Sequence, residues 1–231
     1  MIVAEKIAKR FGHRVALDCI DFSIKEGEFI SLLGVNGAGK TTLIRILATL
    51  SRPTSGNASI AGFRIDKAPE NVRRHIGLMS HVTFLYGELT AEENLLFYGR
   101  MYSVTGLRQR TDELLQRISL NHRRFDLVRT FSRGMQQRLS LARSILHDPD
   151  VLLLDEPFAG LDVNATQTLT ELIGEFTAQG TTVLLTTHNV EFALTHAHRI
   201  LLLDNGRITF DTPTSEVDAG QITALLSADK K

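Results

Sequence analysis

The stretch Phe29-Ile-Ser-Leu-Leu-Gly, running straight into Val35-Asn-Gly-Ala-Gly-Lys-Thr-Thr, constrains the fold more than any other part of the chain. A nearly unbroken apolar run of this length reads as a strand buried on both faces, the kind that parallel sheets use. It stops at Gly34, and apolar residues from Thr41 to Leu50 return at helical spacing. A buried strand that turns through glycines into a helix is half of a β-α-β unit, which forms only with helices laid against a parallel sheet.

The rest of the chain fits that frame. Residues 2–30 alternate apolar and polar positions and are broken by Gly12 and Gly27, which predicts antiparallel strands, with FSIKEGEF as a turn between two of them. Pro53 and Gly56 end the first helix, Ala58 to Gly62 is a short strand, and Ile76 to Met79 is a buried one. From Leu89 to Leu146 the pattern is helical. Thr90 and Glu93 form a capping box at one helix start, and Thr111 with Asp112 and Glu113 reads as another start of the same kind. Buried strands resume at Val151–Leu154, Thr182–Thr186 and Ile200–Leu203, with helices near 164–178 and 189–197 between them; the tail after Pro213 reads as peripheral. The expected fold class is α/β: a mainly parallel core, an N-terminal antiparallel β subdomain and a helical subdomain of about residues 83–146 inserted in one domain spanning 1–231.

Composition narrows the function. Lys plus Arg number 26 and Asp plus Glu 26, so the chain lacks the basic excess of a general nucleic-acid binder, and no nucleic-acid partner is expected. The arginines between Arg123 and Arg143 have few aromatics among them and read as a solvated face or partner contact. Cys19 is the only cysteine, which excludes an internal disulfide, and it reads as a small buried thiol beside Ile20. The opening MIVAEKIAKRF lacks the apolar run of a signal peptide, and no stretch has the ~18 apolar residues of a membrane helix. The expected location is cytosolic, so that any membrane role passes through an embedded partner.

Three groups of residues carry chemistry. Gly34 to Thr42 fits G-x-x-x-x-G-K-[ST] between strand and helix. In such a loop Gly34, Asn36, Gly37, Ala38 and Gly39 turn backbone N–H groups inward around phosphate oxygens, and the helix start adds partial positive charge. Lys40 reaches the β and γ phosphates of a nucleotide, the Thr41 hydroxyl completes a Mg2+ shell, and Thr42 closes the cradle. In VLLLDEP, Asp155 stands at the carboxyl end of a buried strand, placed to hold Mg2+ through water, and Glu156 is placed to polarise an attacking water. His188 ends another buried strand and is placed to hydrogen-bond the γ-phosphate.

With FSRGMQQR (Phe131 to Arg138), which resembles the signature LSGGQQQR, these motifs make the chain similar to an ABC-transporter ATPase, a P-loop NTPase. Ala159 to Asp162 resembles the D-loop, and Phe11 stands where the family stacks an aromatic on adenine. The resemblance implies ATP as nucleotide, a head-to-tail dimer with a second ATPase subunit, and an integral-membrane permease. It places Ser132 and Gly134 on the nucleotide of the partner subunit and puts Asp162 at the same junction. His81 occupies the position of a glutamine that links Mg2+ to the permease, and is carried as a metal ligand. Arg133 and Met135 depart from the signature: Met135 cannot hydrogen-bond a ribose, and Arg133 either meets phosphate or faces water. Phe84, Leu85 and Tyr86 form a patch where the family docks its permease.

The runs RILATLSRPTSG, SHVTFLYGELTAEENLLFY and VRTFSRGMQQRLSLAR are similar to the ATPase of the haem exporters used in cytochrome c maturation. Exporters of drugs, lipids or polysaccharides use the same ATPase with another permease. A soluble ABC protein acting on nucleic acid or ribosomes, and a binding module without hydrolysis, are more distant readings. His196 and His198, two apart at a helix end, read as diverging surface residues rather than a metal pair.

Overall fold

The computed structural model describes residues 1–228. It contains two sheets. The antiparallel one is built on β1 (Ile2–Phe11) and β2 (Arg14–Ile24), joined across Gly12, with β4 (Ser55–Ile60) on the other edge of β1 and the short β5 (Phe63–Arg64) beyond it. The second sheet has six strands. β9 (Arg199–Asp204), β3 (Phe29–Leu33), β8 (Thr182–Thr187), β7 (Val151–Asp155) and β6 (Ile76–Met79) lie parallel in that order, and β10 (Arg207–Pro213) is added antiparallel outside β9.

β3, β7 and β8 are buried along their whole length, as their apolar runs predict. Period-two alternation divides their side chains between two cores. Val151, Leu153, Leu184, Ile30 and Leu32 face the core shared with the antiparallel sheet and α1 (Lys40–Leu47). Leu152, Leu154, Val183 and Leu185 face the helical side. Each fully buried side chain of this kind is worth about 1.5–3 kcal/mol.

After α2 (Pro69–His75) and β6 come three helices, α3 (Ala91–Met101), α4 (Leu107–Arg117) and α5 (Arg133–Ser144). α6 (Val163–Ala178) and α7 (Val190–His196) connect the later strands, and α8 (Ala219–Ala228) follows β10. The capping box of α3 is present: the Thr90 hydroxyl accepts from Glu93 N–H at 3.1 Å, and the Glu93 carboxylate accepts from Thr90 N–H at 2.8 Å.

Four expectations change. α4 starts at Leu107 behind Gly106, whose φ of 61° suits glycine, so Thr111 is a buried mid-helix residue rather than a helix start. Leu107 is drawn in by packing against Gly99, a tertiary contact that outweighs the local capping signal. Cys19 is exposed. The β1–β2 register slips between the pairs Ile7↔Ile20 and Lys9↔Leu17, and the bulge turns Cys19 outward at φ 51°. The tail after Pro213 is not wholly peripheral, since Ile222 of α8 is fully buried with Leu33, Ala193 and Ile200. The Arg123–Arg143 run is a solvated face only in part: Arg129 and Arg133 are exposed, but Arg124 pairs with Glu92 and with Asp112, Arg138 donates to the Ile118 carbonyl at 2.7 Å, and Arg143 is buried. No described helix is long and apolar enough to cross a membrane.

Candidate nucleotide site

β3 ends at Leu33, and the chain folds back over residues 34–39 before α1 begins, with Gly39 at its N-cap. The loop is clamped from two sides. A Cβ on Gly34 would lie 2.3 Å from the Leu203 carbonyl oxygen of β9, and one on Gly39 would lie 2.5 Å from that of Ala16 in β2. Glycine is therefore required by close approach of backbone, in addition to the φ of 115° at Gly39. Ala38 is buried beneath the loop, and its carbonyl accepts from Gly206 N–H at 3.0 Å.

In front of the loop is a cleft of about 370 Å³ lined by residues that include Phe11, Asn36, Gly37, Lys40, Thr42 and Glu156. Phe11 is 55% exposed at the end of β1, with Lys9 Nζ 5.0 Å from its ring centre. Arg14 also lines the cleft, a residue missed in the sequence. The signal was its position, paired with Phe11 across the β1–β2 turn.

β7 and β8 deliver the carboxylates. Asp155 pairs in register with Thr186, whose hydroxyl donates to Asp155 Oδ1 at 2.8 Å and accepts from Glu156 N–H at 3.0 Å. Thr41 Oγ1 donates to the same Asp155 oxygen at 3.1 Å. Asp155 is thus buried and committed, whereas Glu156 turns away at φ 48°. A non-glycine residue in that region costs about 1–3 kcal/mol. The turn sets the Glu156 carboxylate between two partners: Lys40 Nζ lies 3.5 Å from Oε1 and His188 Nδ1 lies 3.1 Å from Oε2. Lys40 Nζ also donates to the carbonyls of Gly34 at 2.6 Å and Val35 at 3.3 Å. His81 Nδ1 stands 4.0 Å from Asp155 Oδ2.

Oxygen donors beside a phosphate loop suit Mg2+, which prefers carboxylate, hydroxyl, water and nucleotide oxygens to a closed protein cage. Thr41 and Asp155 supply such donors, and among the described residues no group of three His, Cys, Asp or Glu forms a self-sufficient metal cage.

Ser132, Gly134 and Asp162 are not brought to this cleft. Ser132 caps α5, accepting from Met135 N–H at 3.3 Å, and Asp162 caps α6, accepting from Ala165 N–H at 2.8 Å. The two helix starts are adjacent: a Cβ on Gly134 would lie 3.4 Å from that of Ala165. The Arg133 side chain is exposed and crosses to the loop before α6, where its Nε donates to the Ala159 carbonyl at 3.1 Å. His198 Nδ1 accepts from Phe29 N–H at 2.9 Å and His196 packs on Phe192, and both histidines line one cleft with these two rings instead of diverging.

Comparison with known proteins agrees with this geometry. Residues 17–159 match the family model described as ABC transporter. The chain is 39% identical over 220 residues to the doxorubicin resistance ATP-binding protein DrrA of Mycobacterium tuberculosis, covering 94% of this chain and 66% of that protein. It is 36% identical over 210 residues to the linearmycin resistance ATP-binding protein LnrL of Bacillus subtilis, covering 90% and 68%. The chain thus spans about two thirds of the length of these curated relatives. Among solved structures, the ATP-binding cassette MJ0796, a dimer in a post-hydrolysis state bound to ADP and Pi, superposes with a TM-score of 0.85 at 27% identity, covering 93% of this chain and 99% of that one. These relatives are named for drug resistance, and the expected likeness to haem exporters finds no support in them. The α/β core, the antiparallel subdomain and the phosphate loop are those of an ABC ATPase domain, and the chain belongs to the ABC transporter family.

Proposed function

We propose that this chain is the ATP-hydrolysing subunit of an exporter of drug-like or antibiotic molecules, working as one cassette of a head-to-tail dimer beneath an integral-membrane permease, on the cytoplasmic face of the membrane. The observation that carries the hydrolytic part is the Glu156 carboxylate held between Lys40 at 3.5 Å and His188 at 3.1 Å, at the mouth of the phosphate loop. The kinship with drug-resistance ATPases supports the cargo class over haem.

The residues divide the work as follows. Loop N–H groups from Asn36 to Thr41 and the start of α1 receive phosphate oxygens. Lys40 moves from the Gly34 and Val35 carbonyls to the β and γ phosphates. Thr41 and Asp155 would hold Mg2+, which would neutralise charge on the phosphates. Glu156 accepts a proton from the attacking water as its oxygen bonds the γ-phosphorus and the bond to the bridging oxygen breaks, giving ADP and phosphate. His188 orients that water and the γ-phosphate. Phe11 stacks on the adenine, and Ser132, Gly134 and Asp162 act on the nucleotide held by the partner subunit. The Phe84–Tyr86 segment, with Phe84 and Tyr86 exposed and Leu85 packed inward, receives the permease.

Glu156→Gln tests the catalytic part. The variant binds ATP, accumulates as a nucleotide-bound dimer in sedimentation, and releases phosphate at least about a hundredfold more slowly. Turnover at the wild-type rate removes Glu156 from this role. The membrane protein that co-purifies with the chain tests the cargo: a drug-type permease supports the reading, and a cytochrome-maturation permease overturns it.

A further inference from the structure

The first residues of β2 cross the phosphate loop. The Ala16 carbonyl seats on Gly39, where a Cβ would lie 2.5 Å away, and Leu17 behind it is fully buried, so this end of the strand is fixed against the loop. Side chains alternate along a strand, which turns Arg14 and Ala16 to one side, and both line the nucleotide cleft. Register pairing sets Arg14 opposite Phe11. The guanidinium reaches the loop itself: a Cβ on Gly37 would lie 3.6 Å from Arg14 Nη2.

This cation has no acid to answer it. Among the described residues the Arg14 side chain makes no ion pair and no hydrogen bond, and it is exposed. Its cationic neighbours are engaged elsewhere. Lys9 Nζ donates to the Arg52 carbonyl at 2.7 Å beside the Phe11 ring, and Arg207 pairs with Asp18. An unpaired guanidinium over a loop of inward N–H groups suits a polyanion, because its planar fork can bond two phosphate oxygens at once. Order along the cleft selects the phosphates. Phe11 marks the base end, and Lys40 with Glu156 marks the γ end. Arg14 stands at Gly37, on the Phe11 side. We propose that Arg14 is a second nucleotide-binding cation, which bonds the α- and β-phosphates common to ATP and ADP and so holds product as firmly as substrate. The inference rests on the reading of Gly34 to Thr42 as the nucleotide loop.

The test titrates the full chain with ATP, ADP and adenosine in calorimetry and nuclear magnetic resonance, comparing wild type with Arg14→Gln, a change at an exposed and unpaired side chain that leaves the fold intact. The variant binds ATP and ADP about tenfold more weakly, by equal factors, and binds adenosine as wild type does. Arg14→Lys keeps the charge without the fork and recovers part of the loss. ATP and ADP affinities within twofold of wild type overturn the proposal. So does a loss confined to ATP, which would place the contact at the γ-phosphate, or an equal loss for adenosine, which would place it at the base. Lys40→Ala separates the two failures. If it weakens ATP binding while Arg14→Gln changes nothing, only the role of Arg14 falls; if it too leaves ATP binding intact, the loop reading itself fails.

Discussion

Arg133 Nε donates to the carbonyl oxygen of Ala159 at 3.1 Å, tying the first turn of α5 to the loop that leads into α6. The contact needs the next residue to be small: a Cβ on Gly160 would lie 2.9 Å from Arg133 Nε, and Gly160 has φ 74°. The two helix starts assigned to the partner's nucleotide are therefore braced against each other by the residue that departs from the family signature.

Arg133→Gly restores the family residue and removes the brace. A hydrogen bond from a charged donor at a partly exposed site is worth about 1–1.5 kcal/mol. Built into Glu156→Gln protein, the change weakens ATP-dependent dimerisation about fivefold to tenfold in sedimentation, while ATP affinity of the isolated subunit is unchanged. Equal dimerisation with and without Arg133 would show that the contact does not serve assembly.

Arg143 gives a second prediction. It is 7% exposed, donates to the Leu78 carbonyl at 2.5 Å, and places its guanidinium 5.5 Å from the Phe84 ring centre and 5.2 Å from that of Tyr98. Burial pushes its pKa below the usual arginine range. Truncation to alanine opens a cavity under two rings and leaves the Leu78 carbonyl without that donor, for a loss of about 2–4 kcal/mol in urea unfolding. Arg143→Met fills the space without a buried charge and loses less than about 1.5 kcal/mol. Similar losses in the two variants would locate the stabilisation in the charge instead of the packing.

His147 makes stability depend on pH. Its ring stacks on Tyr102 at 3.9 Å, Nε2 lies 3.0 Å from the Ile76 carbonyl, and burial, the largest cause, lowers its pKa to about 4 from 6.5. The folded pKa is depressed, so the unfolded chain binds the proton first. The contribution is complete above pH 6.5 and is lost as pH falls toward 4, which amounts to about 2 kcal/mol between pH 7.5 and pH 5. His147→Gln keeps a donor for Ile76 and removes this slope. Chemical unfolding at the two pH values measures it, and an equal loss in variant and wild type would assign the slope to other groups.

What could be read in the sequence was what local pattern controls. The strand-glycine-helix unit placed Lys40 and Thr41, and apolar runs ending in charge placed Asp155, Glu156 and His188 at one edge of one sheet. Thr90 and Glu93, three residues apart, announced their mutual bonds. Thr111 misled because Leu107 is fixed by Gly99, outside the capping window. The bridge from Arg124 to Glu92 and Asp112 spans three elements, and nothing in one segment encodes it. Arg133 was visible as an anomaly, but its acceptor is a backbone carbonyl 26 residues away, which carries no side-chain signature. Exporter subclass was least legible, because the runs that suggested haem surround motifs common to every cargo.

The pairing of Asp155 with Thr186 has a further meaning. The Glu156 amide points its hydrogen at the Thr186 oxygen, so the Thr186 proton is left for Asp155, and polarity runs one way along the chain of three. A slip of β8 by one residue that put Leu185 where Thr186 stands would remove that hydroxyl. Strand alignment here is part of the chemistry: with Leu185 in that place, Asp155 and the Glu156 amide would lose the hydroxyl that joins them.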